Sequence, residues 1–331
     1  MTLSVIVVTY NSREDIQVFL ESLSVLVGEI KLLETRITDN ASNDGTREYL
    51  LRAKSEFPEL GINLRFNERN VGLSKALDNE ILSSRGNHLL ICNPDIRFTG
   101  STLNLFRHIP IDSPATPTAL VPELLNEDGT VQRKIYRRYP TLTRIICSAT
   151  SIGSTISLFL PWILRDYLYE DHAFAGPVDG IEQASAVCLL IDSASALALD
   201  PFFDPQFPVL WNDVDMIMRA REHGIRFRIV PGAHVYHRLG RSVRRERRSN
   251  PERLYMLAYS SRGLIGFARR WKMHPNLLRV ALFLDAVFRI AREIPMRYLG
   301  RKTHMMRRND QPPPMKKMIR QYTLPFRCSL R

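Results

Sequence analysis

LLICNPDI, residues 89–96, runs four apolar residues directly into Asn93, Pro94 and Asp95. The apolar run reads as a buried strand, and Asn-Pro reads as the turn that ends it. An aspartate at that point is held at the mouth of the sheet. Ligands of open α/β sheets bind there, in the crevice beyond the carboxyl ends of the strands.

The flanking sequence supports such a sheet. Short β-branched runs alternate with amphipathic patterns over the first hundred residues, the mark of βαβ units. Strands are expected at 4–9, 33–38, 63–66 and 88–92, with helices from Ser12, from about Thr46 and over 73–84. Ser12 with Asp15 three residues on suggests a capping box, followed by Ile16, Phe19, Leu20 and Leu23 at helical spacing. Asp39 and Asp95 then both follow strand ends. Further along, 185–191 reads as an apolar strand. Asn212 or Asp213 opens a helix that ends at Gly224, and 226–240 reads as a strand, a proline turn and a second short strand. Residues 145–164 carry no charge, but six Ser/Thr, a glycine and Pro161 favour helices packed beside the sheet over a membrane span.

With 331 residues and 44% hydrophobic content the chain can bury a large core. Its net charge of +12 is unevenly placed: residues 241–331 hold 23 Lys/Arg against 5 Asp/Glu, a net of +18, leaving −6 for residues 1–240. Such a basic, apolar-rich segment attracts anionic lipid and nucleic acid alike. Four scattered cysteines without a CxxC pair argue against a disulfide framework or zinc site and for a reducing compartment. MTLSVIVVTYNS lacks a basic n-region and a long apolar core, so the expectation is a cytoplasmic protein beginning at Met1.

Asp95 and Asp213, 118 positions apart, both sit at the edges of regular elements. Mg²⁺ or Mn²⁺ commonly bridges a few protein ligands to substrate phosphates, and His237 could add an imidazole, which suits Mn²⁺ better. Spacing alone favours simpler roles: a turn former, a helix cap and a surface histidine. TYNSRED after the first strand is neither GxGxxG nor GxxxxGK[ST], which removes dinucleotide-binding dehydrogenases and P-loop NTPases. No GxSxG or HExxH occurs, leaving carboxylate and metal chemistry.

SVIVVTYNS, TDNASNDGT, NVGLSKALDN, ICNPDI, GTVQRKIYRRYPTL, FFDPQFPVLWNDVDM and VPGAHVYHRLGRS occur in that order over residues 3–242. Together they resemble the family 2 glycosyltransferases of GT-A fold, in particular bacterial rhamnosyltransferase-like members. The resemblance implies an α/β fold, a mixed, mostly parallel sheet flanked by helices, with a C-terminal helical extension. It implies an inverting transfer of a sugar, with rhamnose as one candidate, from a nucleoside diphosphate to a polysaccharide or lipid-linked glycan in cell-surface (lipopolysaccharide-type) synthesis. Asp39 would bind the nucleobase, with Thr9, Tyr10 and Asn11 lining its pocket and Asn70 and Asn93 also on the donor side. Asp95 would hold Mg²⁺ or Mn²⁺ on the diphosphate with His237, and Asp213 would be the general base. The sequence departs from the family's pattern at Asn212, where a glutamate is usual, at Ser185-Ala186 and at Asp78.

The expected organisation is a catalytic domain over 1–240, divided near residue 100 into nucleotide-binding and acceptor halves, a basic helical extension over 241–310, and a flexible tail over 311–331. In 276–294, Asp285, Arg289, Arg292 and Glu293 share a narrow helical sector and most of the remaining surface is apolar. Such a helix must bury its apolar face against the protein or at a membrane interface. In the first case its Arg face would be solvated. In the second, the protein would be peripheral on the inner face of the cell membrane, drawn to anionic lipid by its basic flanks. Two other readings are a nucleotidyltransferase, which would want a Gly-rich loop after the first strand, and a nucleic-acid-binding module in the last 90 residues. The latter lacks an RNP-like aromatic pattern, so nucleic acid is not an expected partner.

Overall fold

The computed structural model describes residues 1–109, 117–132, 136–160, 162, 178–179, 181–207, 211–238 and 263–302. The chain divides into two compact units. One comprises Met1–Arg138 and Leu168–Arg241, the other Tyr139–Tyr167 and Ser242–Arg331.

The first unit is built on one mixed sheet. Its strands are β1 (Leu3–Thr9), β2 (Leu32–Asp39), β3 (Ile62–Phe66), β4 (His88–Cys92), β5 (Ile96–Phe98), β6 (Thr118–Leu125), β7 (Val178–Asp179), β8 (Cys188–Asp192) and β9 (Arg226–His237). Their order is β3-β2-β1-β4-β8-β6-β9-β5, with β7 paired to β9. β1 to β4, β6 and β9 run one way and the other three oppose them, so the expected mixed, mostly parallel sheet is present.

All seven residues of β1 are buried, as a central parallel strand requires. Helix α1 (Arg13–Ser24) follows and lays Ile16, Phe19, Leu20 and Leu23 into the core, where the Phe19 ring meets Phe98 at 5.2 Å. Burying such side chains stabilises by roughly 1.5–3 kcal/mol each. The expected capping box is not formed. Ser12 makes no side-chain bond to the helix; its Oγ donates to the Tyr10 carbonyl.

Helices α2 (Thr46–Glu56) and α3 (Leu73–Ser83) complete the first βαβ units. α3 covers a charged layer on β2 that hydrophobic patterning does not reveal. Glu80, 2% exposed, takes Arg36 at 2.8 Å, Arg65 at 2.6 Å and the Thr38 hydroxyl at 2.7 Å. Each buried carboxylate oxygen is thus matched by a cation or donor, without which burial would be strongly unfavourable.

The short helices α4 (Leu103–Arg107) and α7 (Ser193–Leu197) lie later in this unit, before α8 (Asn212–Glu222). α8 ends as its sequence implies: Gly224 has φ 74°, its N–H bonds the Arg221 carbonyl, and Ile225 N–H bonds Ala220. The strand–turn–strand expected over 226–240 is instead one twelve-residue strand, β9. Its register on β6 jumps from Pro122↔Val230 to Glu123↔His234, so 231–233 form a bulge that absorbs Pro231 and Gly232 without ending the ladder.

In the second unit the uncharged stretch breaks at Thr150. α5 (Leu142–Ala149) ends there, and the Thr150 side chain accepts from Gly153 N–H to cap α6 (Ser151–Phe159). A side chain at Gly153 would strike the Ile146 carbonyl and Cys147, so glycine permits this tight corner. No helix among the described residues is long and apolar enough to cross a membrane. A helix over 263–270, α9, precedes α10 (Pro275–Lys302). On α10, Asp285 is 6% exposed and accepts from Ser151 N–H at 2.6 Å. The flank 241–248 and the tail from Gln311 lie outside the described residues.

Cys92 and Cys188 face each other across β4 and β8, sulfurs 3.9 Å apart, and with Cys147 they are buried free thiols.

Candidate active site

Parallel pairing of β1, β2 and β4 brings Thr9, Asp39 and Cys92 to the same end of the sheet, because Thr9 pairs with Asp39 and Val7 with Cys92. Asp39 is fully buried and accepts from the Thr9 hydroxyl at 3.1 Å and Ser42 N–H at 3.1 Å, with Arg47 at 3.3 Å. Asn11, in the left-handed region at φ 51°, donates its N–H to Ser42 Oγ and accepts from Asn43 N–H. Tyr10 beside it is 53% exposed, free to present its ring outward. Asn70 accepts from the Asn40 amide at 2.8 Å and from Gly72 N–H at the entry to α3. Asn40 in turn accepts from Asn67 and Val71 N–H. A chain of asparagine amides therefore ties together the loops after β2 and β3. Asn40, Asn67 and Ser42 were not singled out by the sequence, although DNASN contains two of them.

Asp95 stands at the next strand end. Asn93 N–H bonds the Val187 carbonyl at 2.9 Å, carrying the β4–β8 ladder one step beyond Cys92. The chain then turns into β5, whose pairing Ile96↔His237 sets Asp95 beside the end of β9. Asp95 Oδ1 lies 3.6 Å from His237 Nε2, and the two side chains are 14% and 7% exposed.

Gln132 fixes what that histidine presents. Its Nε2 donates to the carbonyls of Leu125 and His237, so its Oε1 must be the group 2.9 Å from His237 Nδ1. His237 Nδ1 then carries the proton and Nε2 turns a lone pair toward the Asp95 carboxyl. Burial pushes the His237 pKa down to about 4, so the ring is neutral. Burial, with repulsion from Asp15, raises Asp95 to about 6. A lone pair facing a carboxylate across 3.6 Å needs a proton or a metal ion between or beside them. Two such ligands, with substrate oxygens completing the shell, fit Mg²⁺ or Mn²⁺. Among the described residues no group of three or more His, Cys, Asp or Glu is placed to hold a metal ion.

A cavity of about 260 Å³ opens beside this pair, lined by Asp15, Asp95, Arg97, Glu127, Tyr236 and Arg238. Arg238 reaches Glu127 at 3.0 Å and Asp15 at 3.7 Å, and its N–H bonds the Asp95 carbonyl. Asp15, expected as a helix-capping partner, is therefore a wall of this cavity. Gln132 and Arg238 went unassigned in the sequence because only the folded sheet brings them to Asp95.

The two titrations have opposite consequences for folding. Asp95, raised from 3.8, contributes stability below pH 3.8 that is lost as pH rises through about 6. His237, lowered from 6.5, makes the fold lose stability as pH falls from 6.5 toward 4. The two slopes oppose each other between about pH 4 and 6. In metal-free buffer, Asp95→Asn should therefore melt higher as pH rises across that range, and His237→Asn should melt lower. Parallel melting profiles for the two variants would contradict this assignment.

Asp213 lies in the first turn of α8, after Trp211 in the left-handed region at φ 71°. It is half-buried and accepts from Val214 N–H at 2.8 Å. Desolvation raises its pKa, against the pull of Val214 N–H and the Arg137 charge. Arg137 N–H bonds the Gln183 carbonyl, just before β8, the strand that pairs with β4. Asp215 faces inward instead. It is fully buried and ion-paired to Arg219, which also donates to the carbonyls of Leu199, Pro201 and Phe202. Asp78, an outlier of the family pattern, accepts from Phe202 N–H and so anchors that loop to α3.

Residues 4–106 match the model of Glycosyl transferase family 2. No curated protein matches the chain significantly. Solved structures with a TM-score of at least 0.5 share its fold. The mannosyltransferase PcManGT from Pyrobaculum calidifontis, in complex with GDP-Man and Mn²⁺, has a TM-score of 0.52 at 14% identity, covering 99% of this chain and 86% of its own. GalNAc-T7 with UDP, GalNAc and Mn²⁺ has a TM-score of 0.50 at 16% identity, covering 72% and 44%. S. aureus TarS 1-349 has a TM-score of 0.46 at 17% identity, covering 80% and 71%. Residues 4–106 thus carry the match to Glycosyl transferase family 2, the mixed sheet is of GT-A type, and the chain is a glycosyltransferase.

Proposed function

We propose that the protein is an inverting, metal-dependent glycosyltransferase that takes a sugar, with rhamnose one candidate, from a nucleoside diphosphate to a glycan or lipid-linked acceptor of cell-surface polysaccharide synthesis. The observation that carries this reading is the facing pair Asp95–His237, with the imidazole held neutral and its Nε2 turned to the carboxyl by Gln132. Mn²⁺ accompanies the nucleotide or sugar nucleotide in two structures of the same fold, which supports a divalent cation here.

Asp95 and His237 would hold Mg²⁺ or Mn²⁺. The ion, when bound, neutralises charge on the departing diphosphate. Thr9, Tyr10, Asn11, Asp39 and Asn70 surround the base and ribose, and Asn93 orients the turn before Asp95. Because Asp39 is fully buried and already holds Thr9, Ser42 and Arg47, it serves the nucleotide by fixing these loops or by exchanging one of those donors on binding. Asp213, with its raised pKa, accepts the acceptor hydroxyl proton as that oxygen attacks the anomeric carbon from the face opposite the diphosphate. A lipid-linked acceptor would place the enzyme at the inner face of the cell membrane, and the basic segment 241–331 supports that location.

Thermal melting against UDP-, GDP- and dTDP-sugars tests the donor reading. One nucleotide class should raise the melting temperature with Mn²⁺ or Mg²⁺ and not with EDTA; no shift with any donor and metal would contradict it. A narrower test is Gln132→Leu, which removes the acceptor that fixes the His237 tautomer. Loss of such an outer-shell partner typically weakens metal affinity roughly 10–100-fold. Mn²⁺ titration should show that drop, and unchanged affinity would remove Gln132 from the site.

A further inference from the structure

On α10 the buried and exposed positions divide cleanly. Leu278, Leu282, Asp285 and Ala286 are buried, while Leu277, Val280, Phe283, Leu284, Val287 and Phe288 are 36–56% exposed. At about 100° per residue the buried set spans an arc of about 100°, and the exposed set an arc of about 140° centred on the opposite side. The helix therefore turns its one acidic side chain in this stretch inward, onto the first turn of α6, and shows an uninterrupted apolar stripe outward. Six large apolar side chains along about 16 Å of helix make a surface that monomeric proteins rarely leave bare. The same unit exposes Leu158 at 77%, Phe159 at 79% and Trp162 at 61%.

We infer that this outer face of α10 is the surface by which the protein docks on an anionic lipid bilayer, deepening the membrane-associated reading above, on which it rests. Charge selects the occupant. Arg269, Arg270 and Lys272 are exposed just before the stripe, and the stretch 241–331 carries a net +18. A second copy seated on the same face would bring two such segments together, whereas anionic headgroups neutralise them. Nucleic acid would satisfy the cations and leave the phenylalanines and leucines in water. A bilayer interface accommodates both at once: apolar side chains among the acyl chains and arginines at the phosphates, with an exposed tryptophan in the same unit suited to the headgroup layer. This arrangement would deliver a lipid-linked acceptor to the enzyme in two dimensions.

The test uses the full chain and vesicles of phosphatidylcholine with or without phosphatidylglycerol. Wild type should float with the anionic vesicles and stay partly bound in high salt, because apolar insertion is not screened. The triple variant V280D/L284D/V287D should partition at least about tenfold less, given the apolar area removed from the interface. Donor-dependent melting shifts should be unchanged, which keeps the glycosyltransferase reading separate. If the aspartates destabilise the unit, V280S/L284S/V287S should give the same direction with a wild-type melting temperature. Wild type that does not float overturns the membrane reading and the docking surface together. Wild type and both variants floating equally overturns the surface alone, as does a wild-type dimer by light scattering that the variants convert to monomer.

Discussion

Asp213→Asn should abolish sugar transfer while leaving donor binding within about twofold of wild type. The substitution keeps the side chain's shape and an oxygen for Val214 N–H, so α8 should start as before. What it removes is the proton acceptor. General-base catalysis contributes on the order of 10²–10⁴ in rate, so transfer should fall by about that factor. The raised pKa sharpens the expectation, since a carboxylate with elevated basicity is a better acceptor for an alcohol proton than an ordinary one. Asn212, in place of the family's usual glutamate, leaves Asp213 without an adjacent carboxylate in sequence. Its elevation therefore rests on desolvation, offset by Val214 N–H and Arg137. Single-turnover transfer beside calorimetric donor binding separates the outcomes. Equal loss of donor binding would move Asp213 out of the base role.

Asp95→Asn should have a different signature. It removes one of the two groups that converge on the proposed metal position, and metal-dependent donor affinity should fall about a hundredfold or more. In metal-free buffer at pH 7.5 the same variant should melt at or above the wild-type temperature. A carboxyl raised to about 6 by burial and by Asp15 is ionised at that pH at a cost to the fold, and asparagine removes the cost. Loss of function with a gain in stability is the expected trade at a site kept for binding. A variant that loses stability as well would mean that Asp95 is a structural turn residue.

The parallel half of the sheet was legible because β1 and β4 are nearly continuous apolar runs. Strand β4 falls exactly where LLIC ends at Asn93, and β1 and β2 fall within a residue or two of expectation. The other half was harder for physical reasons. β6 contains Pro122 and β9 contains Pro231-Gly232, which locally argue for breaks. The bulge over 231–233 reconciles those residues with a continuous ladder, and it is specified by the partner strand rather than by local sequence. β5 has three residues, too few for a period.

At the site, Asp95 and His237 lie 142 positions apart, and their meeting depends on the antiparallel pairing of that short β5 with β9. Family resemblance suggested both residues, whereas the approach of Gln132, Asp15 and Arg238 to them follows only from the fold. Asp285 shows the opposite limit. Its place on a helix could be read from the sequence, but nothing local to it reveals the α6 N-terminus that it caps.

The account stands most directly on nucleoside diphosphate release measured with purified protein, a panel of sugar nucleotides and an acceptor extract. It predicts release from one nucleotide class that requires Mn²⁺ or Mg²⁺ and disappears with EDTA. Release that EDTA leaves unchanged, or no release with any donor, would contradict it.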